Sequence, residues 1–151
     1  MKPKLKLRKA VESDLEITYL IKSNSLKLYI DKIWGWDESF QERFHKKYFS
    51  KESTDLIILD EKKIGYIIMK ESDEEIYIEN ILIDNRFQNL GIGTNIMKSI
   101  INKANSQRKT IRLQIFKINV KAKRFYINLG FNEISEKEHH IVMEKTSSNT
   151  N

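Results

Sequence analysis

The sequence predicts an α/β (α+β) domain, with helices flanking a mixed, mainly antiparallel central sheet. Apolar residues follow a helical period before Thr54 and alternate as in strands from there onward. A strand, a crossover helix and another strand then follow between residues 76 and 116, an order that implies parallel pairing within the sheet. At 151 residues, the chain is expected to form one domain over residues 1–145 and a disordered polar tail over 146–151.

The N-terminal segment predicts a strand followed by helices. Leu5 and Leu7 alternate with lysines, as in a short strand. Ser13 and Glu16 have the spacing of a capping box, which predicts a helix running to about residue 22. A second helical region is expected over residues 26–33.

A short interruption over residues 34–37 separates these helices from the next one. Asp37 has the side chain of a helix cap. Phe40, Phe44 and Tyr48 then repeat every four residues, so they are expected on one face of a third helix.

The strand-rich part begins at Thr54. The predicted order is a strand over 56–59, a turn over 60–63, a strand over 64–69, a turn over 72–75 and a strand over 76–83. A helix after Gly93, a strand over 111–116, a helix from Asn119 to Gly130 and a hairpin of 131–134 with 140–143 complete the order. The first three of these strands form a meander.

The segment 88–94 joins a strand to a helix and contains two glycines, Gly91 and Gly93. Glycines let backbone N–H groups approach a ligand, and a helix N-terminus attracts anions, so the segment predicts a phosphate or pyrophosphate site. A tight turn is the alternative. A P-loop is excluded because its lysine is missing, and a dinucleotide fingerprint is disfavoured because Ile96 stands where a third glycine belongs.

Three motifs in register resemble the Gcn5-related N-acetyltransferase (GNAT) family. Gln88, Gly91 and Gly93 fill the defined positions of its Q/R-x-x-G-x-G/A acetyl-coenzyme A loop. Residues 81–84 resemble its fourth strand, and residues 119–131 resemble its Asn-x-x-Ala…Tyr…Leu-Gly-Phe signature. The resemblance implies splayed fourth and fifth strands and transfer of an acetyl group from acetyl-coenzyme A to a primary amine of a small molecule or protein.

The same resemblance implies roles for individual residues. The cofactor-binding set would be Leu82, Ile83, Gln88, Asn89, Leu90, Gly91, Ile92, Gly93, Thr94, Asn119 and Tyr126. Tyr126 would also be the general acid that protonates the leaving thiolate, with core packing as its alternative role. Asn119 would bind the pantetheine arm or simply cap its helix.

The base and the acceptor site rest on fewer observations. Glu79 lies in the 76–83 strand and is the candidate base, and pairing with a lysine of a neighbouring strand is the alternative. Trp34, Trp36 and Asp37 are the candidate substrate-binding residues, because aromatic walls and a carboxylate suit an ammonium group. Core packing and helix capping are the alternative roles.

Composition bounds the remaining functions. The chain contains no cysteine, which excludes an acyl-cysteine intermediate, and its three histidines lack metal-site spacing. The net charge of +6 comes without a dense basic run, so nucleic acid is not expected as a partner, and no apolar run approaches the length of a membrane span. Together with the resemblance, these observations predict a cytoplasmic enzyme, monomeric or homodimeric and without a metal.

Two other functions compete with the enzyme. One is a non-catalytic sensor that binds acyl-coenzyme A, and the other is a basic nucleic-acid-binding or scaffold protein. The acceptor, the acyl length and the oligomeric state are not specified by the sequence.

Overall fold

The computed structural model describes residues 4–148. The helices are α1 (Leu15–Trp34), α2 (Glu38–Tyr48), α3 (Ile92–Gln107) and α4 (Val120–Asn128). The strands are β1 (Leu5–Lys9), β2 (Thr54–Leu59), β3 (Lys62–Glu71), β4 (Glu75–Ile83), β5 (Thr110–Phe116), β6 (Asn132–Glu136) and β7 (His140–Lys145).

The strands form a seven-stranded sheet in the order β1-β2-β3-β4-β5-β7-β6. β1 with β2, β2 with β3, β5 with β7 and β6 with β7 are antiparallel, whereas β4 and β5 are parallel. The parallel ladder runs from the Glu75–Thr110 pair to the Ile78–Leu113 pair, and both strands continue beyond it. The predicted mixed, mainly antiparallel fold is confirmed.

Backbone contacts group the described residues into two compact units. The first contains residues 4–68 and 80–90, and the second contains 69–79 and 91–148. Leu56, Tyr66 and Leu82 are among the buried residues at the centre of the first unit. Met97, Leu113 and Met143 are among those of the second. The single domain over 1–145 stays a prediction, and residues 149–151 of the predicted tail lie outside the described residues.

The first helical region differs from its prediction. A 3-10 turn, Glu12–Asp14, precedes α1, so the predicted Ser13–Glu16 box does not start the helix. α1 is also one continuous helix of 20 residues rather than two. Within this continuous helix, the Ser25 hydroxyl lies 2.7 Å from Ile21 O in the preceding turn.

α2 exposes the aromatic face that the sequence singles out. Phe40, Phe44 and Tyr48 are 50%, 44% and 61% exposed, and they stack on one another along the helix. The side chains that α2 buries are Gln41 and His45. The four-residue spacing was therefore read correctly as one face, but that face lies toward solvent.

Candidate functional site

The N-terminus of α3 has the features of an anion-binding site. Gly91 is its N-cap with φ 81°, and the first helical hydrogen bond is donated by Asn95 N to Gly91 O, at 3.1 Å. The N–H groups of Ile92, Gly93 and Thr94 therefore precede that bond, and within residues 4–148 none donates to another group. Three backbone donors and the positive end of the helix dipole are thus present at this helix start.

The surroundings of this helix start suit an anion as well. The first turn of α3 holds no acidic side chain that would repel one. A Cβ added at Gly91 would meet nothing within 4 Å, so its backbone is open on that side. Asn89 also has positive φ, at 64°, and Leu90 is 64% exposed, which describes a loop that projects outward.

Asp84 organises the segment between β4 and this loop. Its carboxylate accepts from the Arg86 amide and guanidinium, at 3.0–3.1 Å, and from Asn24 Nδ2, at 3.2 Å. Arg86 holds the pKa of this buried carboxyl below its usual range, although burial opposes the shift. The chain thus leaves β4 in a fixed direction.

The end of β4 is held by side chains from elsewhere in the first unit. Ile83 O accepts from Gln88 Nε2, at 2.8 Å, and lies 3.0 Å from Ser25 Oγ, whose single proton is shared between Ile83 O and Ile21 O. Gln88 therefore bonds the strand rather than standing free in the loop. Ser25 was not predicted as a site residue, because it lies between the two helices expected to end at about residue 22 and to begin at residue 26. Only the fold places its hydroxyl at this carbonyl.

Backbone alternation separates the roles of Leu82 and Ile83. Asp84 N donates to Ile64 O of β3, at 2.8 Å, so the peptide groups of Leu82 and Asp84 face β3, whereas those of Ile83 face the other edge of β4. Leu82 is buried, and its carbonyl lies so close to Gly65 of β3 that a Cβ there would collide with it. Of the two predicted residues, only Ile83 has an N–H directed away from β3.

In the second unit, α4 begins and ends at the predicted residues. Asn119 Oδ1 accepts from Ala122 N at 3.0 Å, which confirms the cap. Gly130 follows the helix with φ 97°, a conformation that favours glycine. The capping bond uses only the side-chain oxygen of Asn119.

Tyr126 is 6% exposed and lies edge-on to Phe125 and Phe131, with ring centroids 5.0 and 5.4 Å away. Burial raises the pKa of its phenol well above the usual range, so the hydroxyl carries a proton at neutral pH. None of the described residues forms a hydrogen bond with this hydroxyl. Every fully buried polar side-chain atom of the described residues has a hydrogen-bond partner, so the Tyr126 hydroxyl is not one of the fully buried atoms. The ring is therefore packed, and the hydroxyl oxygen is not completely buried.

Glu79 lies on the less buried face of β4 with Tyr77, Ile81 and Ile83, as alternation predicts. Its Oε1 is 3.8 Å from Lys70 Nζ, and both side chains are largely exposed, at 44% and 64%. This is the lysine contact that the sequence left open as the alternative. An exposed pair at this distance is weak, so the carboxylate remains accessible.

The three candidate substrate residues lie around the junction of α1 and α2. Asp37 caps α2 by accepting from Phe40 N at 3.0 Å. Trp36 donates its indole N–H to Glu38 Oε2 at 2.7 Å and is half-buried, whereas Trp34 is 57% exposed. Core packing thus does not describe Trp34, and Asp37 serves as a cap.

His45 connects the helices of the first unit. Thr18 Oγ1 lies 2.8 Å from His45 Nε2 and also within 2.9 Å of two backbone carbonyls. Because carbonyls only accept and the hydroxyl has one proton, we assign the imidazole proton to Nε2, which donates to Thr18. Burial and the charge of Lys22 lower the pKa of His45 to about 4, so the ring is neutral at physiological pH.

A sequence profile described as an acetyltransferase (GNAT) domain matches residues 27–143, more than half of the chain. The chain belongs to the GNAT family. A comparison with curated protein sequences gave no match.

Solved GNAT structures share this fold. PaiA N-acetyltransferase from Thermoplasma acidophilum, in complex with coenzyme A, has a TM-score of 0.76 at 19% identity, with 95% of this chain and 99% of that chain covered. The ribosomal-protein-S18-alanine N-acetyltransferase from Escherichia coli gives 0.70 at 18% identity, with 96% and 95% covered. Arabidopsis thaliana Naa50, in complex with the bisubstrate analogue CoA-Ac-MVNAL, gives 0.62 at 19% identity, with 94% and 98% covered.

None of the helices within residues 4–148 combines the length and apolar character of a membrane span. The same residues contain no group of three or more His, Asp or Glu side chains arranged to hold a metal ion.

Proposed function

We propose that this protein is an N-acetyltransferase that moves the acetyl group of acetyl-coenzyme A to a primary amine. The observation that carries the proposal is the N-terminus of α3, where three backbone N–H groups without partners follow an open glycine. Membership of the GNAT family and the coenzyme A complexes of structures with this fold support it.

The pyrophosphate of the cofactor is assigned to the amides of Ile92, Gly93 and Thr94, which a diphosphate can contact without any lysine. Gly91 keeps the approach open, and Asn89 and Leu90 shape the loop. Gln88 acts indirectly, because its amide fixes the end of β4.

The thioester is assigned to the end of β4. Both predicted residues were expected to bind the pantetheine, but the backbone directions favour Ile83 over Leu82. With Ile83 O already bonded to Ser25 and Gln88, its N–H is the group left to polarise the thioester carbonyl. Asn119 keeps its amide nitrogen for the pantetheine, since only its oxygen caps α4.

The chemistry that remains is proton transfer. Without cysteine, the amine attacks the thioester directly, and no acyl-enzyme on a thiol is formed. Tyr126 protonates the departing thiolate, a role that suits a protonated phenol whose hydroxyl bonds no described residue. Glu79 is assigned as the base that accepts the amine proton, directly or through water.

The acceptor is a primary amine of a small molecule or of a protein, bound near Trp34, Trp36 and Asp37. The Glu38 carboxylate accepts hydrogen bonds from both Trp36 and Tyr19, which connects the start of α2 to α1. We place the enzyme in the cytoplasm as a monomer or homodimer that needs neither metal nor nucleic acid. A non-catalytic acyl-coenzyme A sensor is the alternative.

The cofactor site is tested by thermal unfolding. Acetyl-coenzyme A at a hundredfold excess over its dissociation constant should stabilise the protein by about 2.7 kcal/mol. Gly91→Val should abolish this shift, because the new side chain covers the approach to the amides. Gly35→Val is the matched control, since Gly35 has the same φ of 81° and equally open surroundings.

Catalysis is tested by release of the free coenzyme A thiol with a panel of amines. The cysteine-free protein adds no thiol background. A wild-type protein whose melting temperature is unchanged at millimolar acetyl-coenzyme A would refute cofactor binding. A clear shift without turnover of any amine would favour the sensor.

A further inference from the structure

Lys22 is a buried cation without an anionic partner. Its side chain lies on α1 with only 9% of the residue exposed, and its ammonium stands 4.9 Å from the ring centroid of Phe44. Within residues 4–148, no carboxylate lies within 4 Å of this nitrogen. Lysines are seldom buried unless they are paired, so this arrangement calls for an explanation.

Glu16 of α1 and Glu42 of α2 form no ion pair with Lys22, and five other carboxylates of the first unit bond other groups. Asp14 accepts from Arg8 and Lys63, Asp31 from the Trp36 amide, Asp37 from the Phe40 amide, Glu38 from Tyr19 and Trp36, and Asp84 from Asn24 and Arg86. The neutral His45 does not balance the charge of Lys22. Burial lowers the pKa of the lysine, with no carboxylate to oppose the shift.

The ammonium is nevertheless reachable from outside. Every fully buried polar side-chain atom of the described residues has a hydrogen-bond partner. Lys22 Nζ has none, so it is not fully buried. The nitrogen therefore has a solvent-facing surface that an oxygen of a ligand can occupy. Phe44, 44% exposed, forms an apolar wall beside it.

Lys22 also lies close to the strand end assigned to the thioester. Ser25, one turn further along the same face of α1, donates to Ile83 O. Three helical residues rise about 4.5 Å along the axis, so the backbone of Lys22 lies less than one helical turn from the residue that contacts this strand end.

We propose that Lys22 binds a carboxylate of the acceptor, so that the preferred substrates are amines that carry an acidic group near the reacting nitrogen. This inference rests on the proposed acetyltransferase function. An ammonium–carboxylate contact in a desolvated position is a strong, charge-assisted hydrogen bond. The same cation repels a polyamine, which carries only positive charge.

The test uses pairs of amines that differ only in charge. One pair is 4-aminobutanoate and its amide, and the other is a short peptide amide with glutamate or glutamine beside its free N-terminus. Turnover is followed by thiol release, and binding by thermal unfolding in the presence of coenzyme A. Lys22→Met keeps the length and apolar stem, and Lys32→Met removes an exposed lysine of the same helix as a control.

The wild-type protein should prefer the carboxylate member of at least one pair by about tenfold or more in kcat/KM. The ratio should fall close to one in Lys22→Met and stay in Lys32→Met, with the shift produced by coenzyme A unchanged in both. If no amine is turned over, the two members of each pair are compared by the increase in melting temperature that each produces in the presence of coenzyme A.

Preference for the uncharged member, equal use of both, or a preference that survives Lys22→Met would each refute the assignment. A coenzyme A shift that is lost in Lys22→Met would assign the lysine to a cofactor phosphate instead, and would also refute it. If the wild-type protein shows no coenzyme A shift at all, the proposed function itself has failed.

Discussion

Replacing Tyr126 with phenylalanine separates catalysis from packing, because it deletes one hydroxyl and keeps the ring. That hydroxyl has no partner among the described residues, so its loss should change the free energy of unfolding by less than about 0.5 kcal/mol. If it protonates the thiolate, turnover should fall by about 10²-fold or more, which is about 3 kcal/mol of transition-state stabilisation.

Tyr126→Ala provides the opposite pattern in stability. The ring is 6% exposed and packs on Phe125 and Phe131, so truncation should cost about 3–5 kcal/mol. For a chain of this size, each kcal/mol corresponds to about 2–4 °C in melting temperature, which predicts a loss on the order of 10 °C.

Both variants are measured for steady-state rate and melting temperature. Tyr66→Phe is the control, since Tyr66 is also buried and its hydroxyl also has no partner among the described residues. It should leave turnover unchanged. A Tyr126→Phe protein with wild-type turnover would remove this residue from the mechanism and leave it a packing role only.

Three further predictions concern the surrounding framework. His45 is neutral when folded, with its pKa lowered from 6.5 to about 4, so the unfolded chain binds its proton first as pH falls. The free energy of unfolding should therefore drop by up to about 1.4 kcal/mol per pH unit between pH 6.5 and 4. Urea unfolding at several pH values measures this slope, and the contribution of His45 should be absent in His45→Gln. Ser25→Ala should cost about 1 kcal/mol, and adding Gln88→Leu should cost more than the sum of both single changes, because Ile83 O is then left without a donor. Glu79→Gln should lower kcat/KM most at low pH, whereas equal loss in a Lys70→Met protein would indicate that only their ion pair matters.

Side-chain type and spacing were sufficient to predict features that depend only on residues close together in the sequence. The caps at Asp37 and Asn119 were predicted from side-chain type and spacing, and both hydrogen bonds are present. Gly91 and Gly130 have the positive φ expected of a helix start in a loop and of a helix end. The neighbouring positions of β2, β3 and β4 and the parallel pairing of β4 with β5 were also predicted, because short connections and one crossover helix allow few topologies, whereas the positions of β1 and β7 were not predicted.

Long-range contacts decided the features that were missed. Nothing near Ser25 in sequence reveals that its hydroxyl lies at the end of β4, 58 residues away. The aromatic face of α2 has the spacing of a buried face, but the opposite face holds His45, whose contact with Thr18 of α1 orients the helix. Lys22 was not singled out either, since burial of a single lysine depends on which helix covers it.

An enzyme and a sensor of this fold would need the same loop and the same helix start. Binding acetyl-coenzyme A in its ground state uses the amides of α3, and these contacts alone lower KM without accelerating transfer. Acceleration requires groups that act only as the thiolate leaves or the carbonyl oxygen gains charge. In the proposed mechanism those groups are the hydroxyl of Tyr126 and the N–H of Ile83, whereas the pyrophosphate is assigned to the amides of α3. Tyr66 is also buried with a hydroxyl that no described residue bonds, so the presence of a tyrosine does not by itself separate the enzyme from the sensor. The turnover of Tyr126→Phe, compared with that of Tyr66→Phe, does.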